Sequence, residues 1–519
     1  MTRWRWPAWL LIAGAAGGSA WLADPHPLAT PTGRLACASS VRRTALRADA
    51  TGPTGQPDRG DAATWRLAAS GAELRWLALG GGATPEMNSV SIEQDIGLAA
   101  QALRGKGLIL FAGGPGARDV QVLDQARDAS PRGDPLLGEL AALLDPRGGR
   151  DSSYRRSTLA VAAASSLEHA RQAVTQLASA AGPPLTIYLA GHGEQGEHAR
   201  DNWMALWGAS ELHVSDLAGW LDGARRTVRV VVTTCFGGGF AELAFAAARV
   251  ERGAPPVTRC GFFATPADLP ATGCDPNPDR AAQDGYALHF FNALLGRDRD
   301  GGALPLAALD LDGDGRISLL EAHTRVNLAS HTADVPTTTS ERWLGEMAPR
   351  RGPRRPTQMP EQEAVVNALS PRTGVPPQAR TAHAALEALE RQIDATRDRR
   401  DQTSADEERA AAAVVARLLA RWPVLDDPWH PDFAALLKQE RTAIAAYLGR
   451  SAEYRHYQEA RQRVDEAQDA YWQLREQAAP IERLTRALDY LERAARLRAA
   501  GGRAWRAFER LRACERGEP

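Results

Sequence analysis

Between residues 90 and 300 two hydrophobic patterns alternate along the chain. One consists of short runs that are apolar at nearly every position: "GLILF" at 107–111, "LTIYLAG" at 185–191, "VRVVV" at 228–232 and "RCGFFA" at 259–264, each with glycine or proline close by. The other has apolar residues three and four apart. In "SVSIEQDIGLAAQAL" Ile96, Leu98 and Leu103 share a side, and Ser91 and Gln94 have the spacing of a capping box. "SSLEHARQAVTQLASAAG" repeats the pattern at Leu167, Ala170, Val174 and Leu177, and "VSDLAGWLDGARR", "FAELAFAAARVER" and "AAQDGYALHFFNALLG" are helical in kind. Continuous apolar runs fit strands buried on both faces, so the alternation predicts an α/β domain over 90–300, with a mostly parallel sheet sandwiched by helices. Residues 24–89, rich in small and polar residues with weak periodicity, are expected to be a loosely ordered lead-in.

The pattern changes after residue 300. Residues 301–347 combine an acidic loop with a flanking helix, and 348–380, containing "APRRGPRRPTQMP" and "SPRTGVPPQAR", have the composition of a Pro/Arg-rich linker. Residues 381–519 are polar and helical. There "SADEERAAAAVVARLLARW" places Ser404 and Glu407 at capping-box spacing, with Val414, Val415, Leu418, Leu419 and Trp422 on one face. Tyr457, Ala460, Val464, Ala467, Tyr471, Leu474 and Ala478 form a heptad seam, after which Pro480 is expected to start a new helix. A helical bundle or coiled coil follows, used for packing within the chain, for self-association or for a protein partner.

Composition narrows the function. With 519 residues, 44% of them hydrophobic, the chain can bury two or three cores, and a net charge of -1 gives no basic field for a nucleic-acid partner. At the start, "MTRWRWPAWLLIAGAAGGSAWLADPHP" sets Arg3 and Arg5 before an apolar run, so residues 1–23 are expected to act as a signal peptide or, if uncleaved, a membrane anchor. Export to the periplasm or beyond is thereby implied, with membrane contact only through that segment. The five cysteines include Cys260 and Cys274, whose spacing would allow a disulfide across a fifteen-residue loop.

Two reactive residues stand where predicted strands end. His192 lies between Gly191 and Gly193, and Cys235 follows "VRVVVTT", 43 residues later, with one predicted helix between them. That is the length of a single crossover, so the strands can be neighbours and both residues can meet beyond the carboxyl edge of the sheet, in a cleft open to water. A free cysteine also packs as a small hydrophobe. Beside an imidazole, however, a thiol can be deprotonated to attack a carbonyl, while the amides of Gly193 and Cys235 face the developing oxyanion.

In this order, "IYLAGHGEQGE" and "VVVTTCFGGGF" resemble the His-Gly and Cys motifs of the caspase-like clan of cysteine peptidases, nearest to its legumain-type family; the likeness spans about 105–295. The resemblance implies a caspase-like fold and cleavage of peptide or protein substrates through a Cys/His dyad. His192 would be the general base and Cys235 the nucleophile. Thr233 and Thr234 depart from the acidic or amide residues common before that cysteine. Arg118, in "AGGPGARDVQV", lies where the clan often lines its substrate pocket, and is equally a solvated loop arginine.

A second motif is independent of the first. "DLDGDGRISLLE", 310–321, puts Asp310, Asp312 and Asp314 at positions 1, 3 and 5 of an EF-hand-type loop, Gly315 at 6, Arg316 at 7, Ser318 at 9 and Glu321 at 12. Alternating carboxylates, the Arg316 carbonyl and Glu321 would converge on one Ca2+, and no organic cofactor is expected. The two motifs together predict a cysteine endopeptidase with one calcium site; the rival is a non-catalytic calcium-binding adaptor or scaffold that acts through its C-terminal helices.

Overall fold

The computed structural model describes residues 72–123, 135–144, 152–427 and 430–517. The expected signal peptide or anchor, most of the lead-in and Cys37 lie outside the described residues. In chain order the strands are β1 (Leu74–Gly81), β2 (Lys106–Phe111), β3 (Arg118–Leu123), β4 (Ser152–Arg156), β5 (Leu185–Gly191), β6 (Gly193–Glu194), β7 (Trp203–Leu206), β8 (Ser210–His213), β9 (Val228–Val232), β10 (Arg259–Phe263) and β11 (Thr337–Thr338). Six of them make one sheet in the order β11-β10-β9-β5-β1-β2, parallel throughout except at β11.

Both faces of this sheet are covered, which is why its strands read as unbroken apolar runs. On one face Leu77, Leu189 and Val230 meet Val174 and Leu177 of the helix Leu167–Ser179 and Leu217 of the helix Val214–Trp220. On the other, Ala78, Tyr188 and Phe262 meet Ile96 of the helix Val90–Ala102, Phe290 of Tyr286–Leu294 and Leu320 of Leu319–Ala329. The α/β architecture is as expected. Its start is not: β1 lies inside the predicted lead-in, yet it pairs with both β2 and β5 in the middle of the sheet.

Other elements also differ from expectation. Ser91 does not cap its helix; Ser89 is the N-cap residue, and the Ser91 hydroxyl accepts from the Asp275 N–H instead. "FAELAFAAARVER" forms successive 3-10 turns, Gly237–Ala244, Ala246–Ala248 and Val250–Arg252, rather than an α-helix. The predicted linker contains the helix Pro360–Thr373, with Pro360 in the first turn, where its missing N–H costs nothing.

The C-terminal helices are longer than the sequence pattern implied. Ala379–Arg421 runs straight through Ser404, and Ala452–Ala500 runs through Pro480, giving two rods of roughly 60–70 Å at 1.5 Å per residue. They lie antiparallel: Leu386 and Ile393 share a core with Tyr471, Trp472 and Ala478, and Val414 and Leu418 share one with Tyr454, Tyr457 and Ala460. The expected seam is buried within the chain.

Their near end is joined to the sheet domain. Phe245, Trp343 and Cys260 enter one core with Tyr490, Leu497, Phe508 and Cys514. Cys260 is disulfide-bonded to Cys514, 254 residues away, not to Cys274, which is also disulfide-bonded. The Glu515 carboxylate is buried and accepts from Thr339 Oγ1 at 2.8 Å, Ser340 N at 2.8 Å and Ser340 Oγ at 2.6 Å.

Candidate active site

The two motif residues leave neighbouring strands. β5 and β9 are parallel partners with Leu189 opposite Val232, so His192 and Cys235 emerge side by side at the carboxyl edge. Turn geometry presses them together. A Cβ on Gly193 would stand 2.2 Å from the Cys235 carbonyl oxygen and 2.9 Å from Thr234 Oγ1, so only glycine lets the histidine loop lie across the cysteine turn. After Cys235, Phe236 sits in the left-handed region (φ 56°), a strained conformation for a bulky side chain, and the glycines 237–239 begin a 3-10 turn.

Asn202, which the sequence reading did not single out, pins this turn. Its Nδ2 donates to the carbonyls of Phe236 (3.0 Å) and Ala267 (2.8 Å), and its Oδ1 accepts from Gly196 N (2.9 Å), so one buried carboxamide stitches three loops. No spacing signal marks Asn202, because two of its three partners, Phe236 and Ala267, are 34 and 65 residues distant.

His192 Nε2 lies 2.7 Å from the Met87 carbonyl. A carbonyl only accepts, so Nε2 carries the hydrogen, and in the neutral ring Nδ1 is the basic nitrogen. Gly193 pairs with Met204, but Ala205 N donates to His192 O, so this is a non-hydrogen-bonded pair of the ladder and the Gly193 N–H is not spent on it. The amide is therefore eligible for the oxyanion role expected of it.

One expectation is overturned. The two side chains do not open to water: Cys235 is 1% and His192 3% exposed. The thiol donates to Ala271 O at 3.4 Å and accepts from Ala271 N at 3.1 Å, so both of its hydrogen bonds go to the backbone that follows β10, and none to the imidazole. Burial pushes the thiol's pKa well up, and the charges of Asp334 and Glu194 add to the rise against the N–H of Ala271. In this arrangement Cys235 is a protonated, enclosed thiol.

Arg118 is exposed at the start of β3, on a two-stranded ribbon outside the central sheet, opposite Arg156 and with Nη2 3.4 Å from Tyr154 O. The sequence matches no protein-family model and no curated protein.

The acidic loop has the predicted shape in part. Carboxylate oxygens of Asp310, Asp312 and Asp314 lie within 4.8 Å of one another, and Gly313 and Gly315 turn the chain with φ of 78° and 80°. Asp310 accepts from the N–H groups of Gly313, Asp314 and Gly315, which holds it at the loop centre. Glu321 is buried and accepts from Leu311 N at 2.6 Å and Ser318 N at 2.8 Å, closing the loop and capping the helix Leu319–Ala329. A 3-10 turn, Leu306–Ala308, stands where a full EF-hand has its entering helix. Asp310, Asp312 and Asp314 are the residues of this loop that could hold a metal ion.

Buried acids near these sites give a pH dependence. Burial raises Asp275 to about 6, and Asp334 and Glu515 to about 7, above the ordinary carboxylate range near 4. Each holds a proton that the unfolded chain releases, so its contribution to stability is full below about pH 4 and is lost as pH rises through about 6 to 7. His323, lowered to about 3 by burial, acts in the opposite sense. Glu515→Gln mimics the protonated acid; its melting temperature is expected to fall less than the wild type's between pH 5 and pH 7.5, and equal slopes would refute the assignment.

Proposed function

We propose that the chain is a cysteine endopeptidase whose nucleophile is Cys235 and whose general base is His192. The observation that carries this is the emergence of both residues from the parallel neighbours β5 and β9, with a glycine-only crossing of their loops. Proton transfer runs from Cys235 to the basic Nδ1 of His192, whose ring is oriented by the Met87 carbonyl. The thiolate attacks the scissile carbonyl, the N–H groups of Gly193 and Cys235 receive the oxyanion, and the protonated imidazole delivers its proton to the leaving amine. Water then hydrolyses the acyl-enzyme.

Before this sequence can begin, the thiol has to leave Ala271. The caspase-like, legumain-type identity remains part of the proposal, supported by the motif order and by the α/β frame. Export is likewise proposed, and the Cys260–Cys514 disulfide supports it, because such bonds persist in oxidising compartments. No helix among the described residues is long and apolar enough to cross a membrane. Cleavage of a peptide library by wild-type protein and by Cys235→Ala tests the activity: cuts made only by the wild type support it, and identical profiles reject it.

The enclosure of the thiol favours a second reading, a calcium-binding scaffold in which Cys235 fills space. Both readings share the cation. Ca2+ would be held by Asp310, Asp312 and Asp314 with the Arg316 carbonyl, and would tie the loop to the helix that Glu321 caps. Arg516, whose Nε is 3.8 Å from Asp312, links this loop to the C-terminal helix. Asp310→Ala loses the bonds from Gly313, Asp314 and Gly315 under any condition, so it is expected to melt below the wild type with chelator and further below it with calcium present; the same difference under both conditions would remove the calcium assignment.

A further inference from the structure

Ala271, which occupies the thiol, is held in place by a chain of buried polar contacts ending on the long C-terminal helix. Its neighbour Thr272 donates twice to the Asp334 carboxylate, from N to Oδ1 and from Oγ1 to Oδ2, both at 2.8 Å. Asp334 lies in the turn after the helix Leu319–Ala329. That turn is gripped by Arg483, a wholly enclosed guanidinium on the helix Ala452–Ala500: Nε donates to Asp334 O (2.8 Å), Nη1 to Ser330 O (2.8 Å) and Nη2 to Thr332 O (2.9 Å). Each link is buried, and those made by the Arg483 guanidinium are charge-assisted, the class of hydrogen bond that contributes most and is most costly to break.

We propose that the C-terminal helices control access to Cys235 through the relay Arg483, Asp334, Thr272 and Ala271, the helices docked as seen here holding the thiol closed. The inference rests on Cys235 being the reactive group, and it assigns a regulatory role to a region whose seam is otherwise satisfied within the chain. Pro480, three residues before Arg483, lacks the N–H that would bond one turn back, so the rod is short of one backbone hydrogen bond beside the segment that carries Arg483. Displacement of the arm at that point withdraws Arg483 from the 330–334 turn, loosens Asp334 and frees Thr272. Ala271 then releases the sulfur toward His192.

The test reads thiol exposure, not peptide cleavage. Native full-length protein is treated with iodoacetamide, and carbamidomethylation of Cys235 is followed by mass spectrometry with Cys235→Ala as the blank. Thr272→Val removes one donor to Asp334 and is expected to raise the alkylation rate about tenfold, and Arg483→Lys, which keeps the charge but loses the fork, is expected to do the same. Val464→Ala, a cavity in the distant seam of the arm, is expected to melt lower than wild type while alkylating at the wild-type rate. Equal rates in wild type and Thr272→Val would overturn the relay, as would a rate that merely follows melting temperature across the three variants. If Arg483→Lys does not fold, Thr272→Val decides alone, since it exchanges one hydroxyl for a methyl. Faster alkylation with no peptide cleaved by any variant would leave the relay standing and remove the peptidase assignment.

Discussion

Replacing His192 by alanine is expected to lower kcat/KM for peptide cleavage by about 10³-fold or more. General-base catalysis alone accounts for roughly 10²–10⁴-fold, and here the same ring has to generate the thiolate, because burial holds the thiol's pKa above its ordinary value. The loss should shrink as pH rises, since hydroxide increasingly takes over deprotonation of the thiol. Cys235→Ala is expected to show no cleavage at any pH. A pH-independent loss in His192→Ala, or measurable turnover in Cys235→Ala, would mean that the imidazole or the sulfur does not act as assigned.

Cys514→Ser is expected to destabilise the protein by about 5 kcal/mol in chemical denaturation, from the chain entropy of a loop of about 250 residues. That is a large share of the roughly 5–15 kcal/mol typical of a folded domain. Local contacts point the same way: Cys514 lies in the core that joins the two regions, its carbonyl accepts from Arg229 Nε at 3.0 Å, and the next residue is the buried Glu515. Protease digestion of the variant should release the last helix, Gly502–Glu515, before the sheet domain is cut. A denaturation midpoint equal to that of the wild type would show that packing, not the bond, holds this end.

The sheet was legible where burial on both faces leaves unbroken apolar runs, as at 185–191 and 228–232. It was missed at 74–81, where "LRWLALGG" is equally apolar but is set in glycine- and alanine-rich surroundings that dilute the signal. The segment after Cys235 read as a helix because alanine and leucine favour one, yet the glycines before it and Ala247 in the left-handed region break it into 3-10 turns. Pro480 read as a helix start because a proline lacks the N–H of an interior turn. In the structure the rod continues through it, held by the packing of Ala478 and Ala479 before it and Arg483 and Leu484 after it, a case of tertiary contacts outweighing local propensity.

At the candidate site the adjacency of His192 and Cys235 was legible, because crossover length and strand ends are properties of local sequence. Their enclosure was not. It depends on Ala271, which arrives from the loop beyond β10, and on the partners of Thr272 and Asp334, contacts with no periodicity or spacing to announce them. Asn202 and the Cys260–Cys514 bond escaped for the same reason. The acidic loop, whose spacing is itself the signal, was the easiest feature to place, although Glu321 proves to close the loop and cap a helix.

The most direct measurement is the intact mass of the protein after incubation with a peptidyl electrophile that reacts as a substrate carbonyl does. One adduct on Cys235, formed at a rate that collapses in His192→Ala, is the expected result. No adduct on that sulfur, or one formed equally fast without the imidazole, would contradict the claim that these two side chains act together.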